Sequence, residues 1–150
     1  LNRTCHFSFD DGDKSVYENA FPVLKEYNVN ASVFVSPKIV QPDFTYWFHD
    51  LRQLMKYLDN TVICKKFAQK LGLDYKKIKK YNPISIAKMF KVKPLIETLD
   101  EMKSEYKIEN NLKYSITLSQ LKEMADSELV TIGAHSLNHP ILKNEDDDVS

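Results

Sequence analysis

The chain lacks any apolar run approaching about 18 residues, so no segment is built to cross a membrane as a helix. It has no internal repeat and no low-complexity tract, which removes repeat arrays and compositionally disordered chains from consideration. Its two cysteines, Cys5 and Cys64, sit in unlike contexts. They read as unpaired thiols, exclude a disulfide-dense scaffold and leave the redox compartment open. No basic-then-apolar leader is visible and residue 1 is leucine, so the chain reads as a processed form or an excised piece. What remains is 150 residues of ordinary globular composition, enough for one compact domain with a real core.

Net charge is also absent, but the zero conceals an asymmetry. Residues 65–93 hold ten lysines against one acid, Asp74, a local balance of +9 offset by −9 elsewhere. The plain reading is the solvated side of surface helices; the functional one is a face for anionic polymers or lipid headgroups. The block contains no arginine, the residue suited to bidentate phosphate contact, which argues against a nucleic-acid partner.

Thr4–Phe9 reads as a buried strand stopped by Asp10-Asp11-Gly12, with Cys5 and His6 packed in it. Val16, Ala20, Val23, Leu24 and Tyr27 recur at helical spacing over 15–28, where Pro22 should kink or divide the helix and Asn28 should stop it. Ala31–Val35 is a second strand, which makes a βαβ unit with parallel strands. From about 44 to 111 the pattern is helical, with Gly72, Asn82-Pro83 and Pro94 as punctuation. It reads as a helical insertion between sheet strands. Thr117-x-x-Gln120 is a capping box, Leu129–Ile132 a third strand, and the acidic run from Glu145 to Asp148 a candidate helix start.

Two islands carry the chemistry. Phe7-Ser8-Phe9-Asp10-Asp11-Gly12 and Gly133-Ala134-His135-Ser136-Leu137-Asn138-His139-Pro140 each follow a strand, where α/β folds collect ligands. Asp10, Asp11, His135 and His139 are donors for a metal held by two histidines and one carboxylate, with the second carboxylate left as general base. His135 and His139 have helical-turn spacing, but Gly133 before them and Pro140 after them predict a loop or a single turn. Ser136 also stands where zinc proteases of that spacing carry their catalytic glutamate. His6 reads as a core residue and His49 as helix surface, so both stay outside the site. Tyr46-Trp47-Phe48 reads as core packing, with sugar stacking as the alternative.

At these residues the chain resembles the polysaccharide deacetylases, the NodB-homology domain of carbohydrate esterase family 4. Phe7–Gly12 looks like the family's first motif and His135-Ser136-x-x-His139-Pro140 like its second, with Leu24–Asn28, Ala31–Val35 and Ile132-Gly133-Ala134 fitting between them. The resemblance implies an α/β fold, here a partial distorted (β/α) barrel carrying the helical insertion. It implies a divalent metal, usually zinc, bound by Asp11, His135 and His139, with Asp10 as general base. The implied reaction removes an acetyl group, most often N-acetyl, from an acetylated glycan or lipid-linked sugar, and the implied location is the cell envelope or outside the cell. Asp13 replaces the proline that usually follows the glycine. No segment after His139 matches the later motifs, which supply an arginine that orients the base and a histidine acting as general acid. A non-catalytic carbohydrate-binding or scaffold protein of the same fold is the alternative. A two-histidine-one-carboxylate iron oxygenase is a weaker one, disfavoured by the parallel βαβ pattern.

Overall fold

A computed structural model of the protein describes residues 4–41, 44–109 and 113–146. The chain divides into two compact units, one made of residues 1–45 and 113–137, the other of 46–112 and 138–150.

The first unit is a parallel sheet of three strands, β1 (Phe7–Phe9), β2 (Ala31–Val35) and β3 (Val130–Ala134), with β2 in the middle. Phe7 pairs with Ala31, and Ala31 with Val130. Ala31, Val33 and Val35 alternate into the core while Ser32 and Phe34 are half-buried, so β2 packs mainly through one face. The connection from β1 to β2 is a π-helical turn, Val16–Ala20, followed by α1 (Phe21–Tyr27). Pro22 falls in the first turn of α1, where its missing N–H costs nothing, so it divides the helical stretch as expected. Asn28 ends α1 in the left-handed conformation, φ 50°. α7 (Leu118–Asp126) begins with the expected capping box: the Gln120 N–H donates to Thr117 Oγ1, and the Thr117 N–H donates to Gln120 Oε1.

Two expectations about β1 fail. The strand is three residues long, and Thr4, Cys5, His6 and Phe7 are exposed, Phe7 by 48%. β1 lies at an edge of the sheet, where an apolar-aromatic sequence does not by itself secure a covering layer. His6 is therefore not a core residue.

In the second unit the elements between 47 and 105 are all helices: α2 (Trp47–Tyr57), α3 (Asn60–Leu71), α4 (Tyr75–Ile78), α5 (Pro83–Ala87) and α6 (Val92–Glu105). Asp59, Asp74 and Asn82 cap the starts of α3, α4 and α5 by accepting from Thr61, Lys76 and Ser85 N–H groups. Gly72 ends α3 at φ 64°. Pro94 sits in the first turn of α6, so it helps start that helix rather than interrupt it. Leu51, Leu54, Ile63, Phe67, Ile86, Leu95, Leu99 and Met102 form the core. The acidic run does not begin a helix of its own within the described residues. Glu145 instead accepts the Val92 N–H at 2.7 Å, capping α6, while Asp146 pairs with Lys91 at 2.6 Å. Asp147 and Asp148 lie outside the described residues.

One ion pair penetrates this helical unit. Lys103 Nζ lies 2.8 Å from Asp50 Oδ2 and 2.7 Å from Asp100 Oδ1, and the Asp50 side chain is 9% exposed. Burial works to lower the Lys103 pKa, but hydrogen bonds to Asp100 and Asp50 outweigh it and the net shift is upward. A raised lysine pKa means stability that is present below the ordinary lysine range and lost as pH rises through the shifted value. Lys103→Met removes the ammonium partner of the Asp50 carboxylate and is expected to cost about 3 kcal/mol at neutral pH. Urea unfolding checks this, and the difference between variant and parent should shrink as pH climbs past the lysine range.

Candidate metal centre

In the first unit the backbone turns sharply where β1 ends. Asp11 and Gly12 are both left-handed, at φ 69° and 61°. The following segment pins the turn: the Ile116 N–H donates to the Gly12 carbonyl at 3.0 Å and the Lys14 N–H to the Tyr114 carbonyl at 2.6 Å. Gly12 is required twice over. Its φ disfavours a side chain, and a Cβ there would stand 2.8 Å from Val35 Cγ1. Asp13, the departure from the family's proline, accepts the Ser15 N–H on Oδ1 at 2.8 Å and the Val16 N–H on its carbonyl at 2.9 Å. It thus shapes the entry to the helical connection.

β3 delivers the second island. Gly133 crosses Phe34 so closely that a Cβ would lie 2.5 Å from its ring. The His135 N–H donates to the Val35 carbonyl at 2.9 Å, which extends the strand ladder to His135 itself. The fully buried Ser36 donates its hydroxyl to the Leu137 carbonyl at 2.7 Å and holds the loop beyond. The result brings Asp11 and His135 together, with Oδ1 and Nε2 3.4 Å apart and both side chains about 30% exposed. Two donors at zinc-like bond lengths of about 2.0–2.1 Å, opened to the tetrahedral angle, stand about 3.4 Å apart, so this pair fits one shared ion. Asp10 is exposed at the end of β1.

His139 belongs to the second unit and follows His135 by four residues, a chain reach of at most about 14 Å. The segment is a loop, as Pro140 predicts, and His139 is left-handed at φ 52°. Its carbonyl accepts the Trp47 Nε1–H at 2.9 Å. Its ring stands edge-on to Tyr46 and Phe48, with centroids 5.9 and 5.2 Å away, and those two rings stack at 5.0 Å. Tyr46 and Trp47 are core residues, as expected. His49 is not surface: it is 5% exposed and meets the Phe48 ring at 4.6 Å. The unbroken run Tyr46-Trp47-Phe48-His49 was the available signal: Tyr46 stands at the start of α2, and the Tyr46 and Phe48 rings meet His49 edge-on at 6.0 and 4.6 Å.

The sequence profile of the polysaccharide deacetylase family matches residues 2–63. Over that stretch, less than half of the chain, the sequence is similar to polysaccharide deacetylases. The matched stretch contains β1, Asp10, Asp11, α1, β2 and the start of the helical segment; His135 and His139 lie beyond it. The poly-beta-1,6-N-acetyl-D-glucosamine N-deacetylase of Staphylococcus epidermidis is 41% identical over 54 residues, and that of Staphylococcus aureus is 37% identical over 54 residues. These stretches are 36% of this chain and span only 18% of the length of either relative. No solved structure matches the chain at a significant level. The three parallel strands and intervening helices are a mixed α/β architecture compatible with the NodB-type fold of polysaccharide deacetylases.

Proposed function

We propose that this protein removes N-acetyl groups from an acetylated polysaccharide, with poly-β-1,6-linked N-acetylglucosamine, named for the relatives, as the first substrate to test. In this reading Asp11, His135 and His139 hold one divalent ion, zinc by preference, and Asp10 is the general base. The observation that carries it is the 3.4 Å approach of Asp11 Oδ1 to His135 Nε2 at the carboxyl ends of parallel strands. When bound, the ion supplies Lewis acidity to the acetyl carbonyl and to water. Asp10 accepts the proton of the water that attacks the carbonyl carbon, a proton passes to the amide nitrogen as the C–N bond breaks, and acetate and the free amine leave. The aromatic wall of Tyr46 and Phe48 keeps the His139 ring from rotating away from its task. The same proposal makes β1–β3 the first part of a distorted (β/α) barrel. Residues 1–150 then belong to one deacetylase-like domain with a helical insertion at about 44–111, working at the cell envelope or outside the cell.

Acetate release by the full-length protein from that polymer, before and after chelation, tests the proposal. Release should fall at least 100-fold on chelation and return with zinc. Undiminished release from metal-free protein, or unchanged zinc content in Asp11→Ala, overturns it.

A further inference from the structure

We infer that the lysine-rich face of the helical unit, centred on α4, docks on an anionic lipid surface. Seven of the ten lysines of residues 65–93 fall into two groups. Lys66, Lys70 and Lys91 are neutralised within the unit by Glu105, Glu101 and Asp146, at 2.9, 2.6 and 2.6 Å. Lys76, Lys77, Lys79 and Lys80 are all exposed, and none forms an ion pair among the described residues. They lie in the run Tyr75-Lys-Lys-Ile78-Lys-Lys-Tyr81. Tyr75 and Ile78, one helical turn apart, face inward, which forces the four ammonium groups outward over about one turn and a half. The block's single acid, Asp74, caps α4 by accepting the Lys76 N–H on Oδ1 at 2.9 Å, and one carboxylate against four lysines leaves the run with a net positive charge.

The chemistry of the run selects the partner. Lysine offers flexible point charges, suited to a diffuse anionic potential, whereas ordered phosphates favour arginine forks. A glycan partner would need open aromatic faces, yet Lys65 Nζ lies 5.7 Å over the Tyr75 ring and Lys80 Nζ 5.1 Å over the Tyr81 ring. Tyr81 is 49% exposed, an amphipathic ring beside snorkelling lysines, as at a headgroup boundary. The inference is independent of the deacetylase reading.

Co-sedimentation of the full chain with lipid vesicles tests it. Binding is expected to vesicles of mixed phosphatidylcholine and phosphatidylglycerol, not to phosphatidylcholine alone, and should weaken as salt is raised. Each lysine near an anionic leaflet strengthens binding roughly fivefold, so reversing all four to glutamate should weaken it by more than about 100-fold. Changing all four to arginine should preserve it. If the reversed protein fails a circular-dichroism check of folding, Lys76→Gln/Lys79→Gln should still weaken binding about 25-fold. Equal binding by the parent and by the folded charge variants overturns the inference. So does equal binding to neutral vesicles, or binding to soluble polyglutamate with none to anionic vesicles.

Discussion

Asp10→Asn is expected to reduce acetate release about 1,000-fold while the protein keeps its full complement of metal. Positioned general bases contribute about 100- to 10,000-fold, and asparagine keeps the shape of aspartate without its ability to take a proton. The three proposed ligands stay in place in this variant, so zinc titration calorimetry should give an affinity within about threefold of the parent. Asp11→Asn should behave differently. It removes the carboxylate that lies 3.4 Å from His135 Nε2, so metal affinity and activity fall together. The two neighbours are thereby separated by one pair of measurements. If Asp10→Asn loses metal and Asp11→Asn keeps it, the assigned roles are reversed.

The largest stability effect is expected in the helical unit. Phe67 is fully buried on α3 and its ring meets Phe90 edge-on at 5.1 Å. Leu54, Ile63, Leu99 and Met102 belong to the same core cluster. Phe67→Ala removes the ring's transfer energy and leaves a cavity that helices pinned by side-chain caps cannot fully close, a cost of about 3–5 kcal/mol. Urea unfolding should show the midpoint fall with little change in slope. Substituting Tyr57, which is 68% exposed on α2, should move it by less than about 0.5 kcal/mol. Comparable losses at the two positions would mean the core is misassigned.

Much of this was legible without coordinates, where local chemistry decides. Thr117 and Gln120 cap α7 because their side chains answer orphan N–H groups within one turn. Asn28 stops α1, Pro22 divides the stretch before it, and Pro140 keeps the histidine segment from becoming a helix, each through its own backbone restriction. The donor types at Asp11 and His135 were legible too, since a strand followed by a tight turn places them at the same end of a parallel sheet.

What failed was burial. His6 and His49 exchanged their expected places: His6 lies exposed before an edge strand, and His49 is enclosed by rings. Burial depends on which neighbours arrive from distant parts of the chain, and periodicity within a segment reports only which residues share a face. The acidic run shows the same limit. Its charge announced an affinity for a helix N-terminus, and only the fold decided that the helix would be α6, 53 residues upstream of Glu145. The amino-acid sequence by itself therefore determined the turns, caps, helix stops and donor types, because those arise between residues a few positions apart. The tertiary structure alone decided the 3.4 Å approach of Asp11 to His135 and the division of the lysines into paired and unpaired groups. Each of those requires chain segments tens of residues apart to meet, and the free energy that brings them together belongs to the packed whole rather than to any local run.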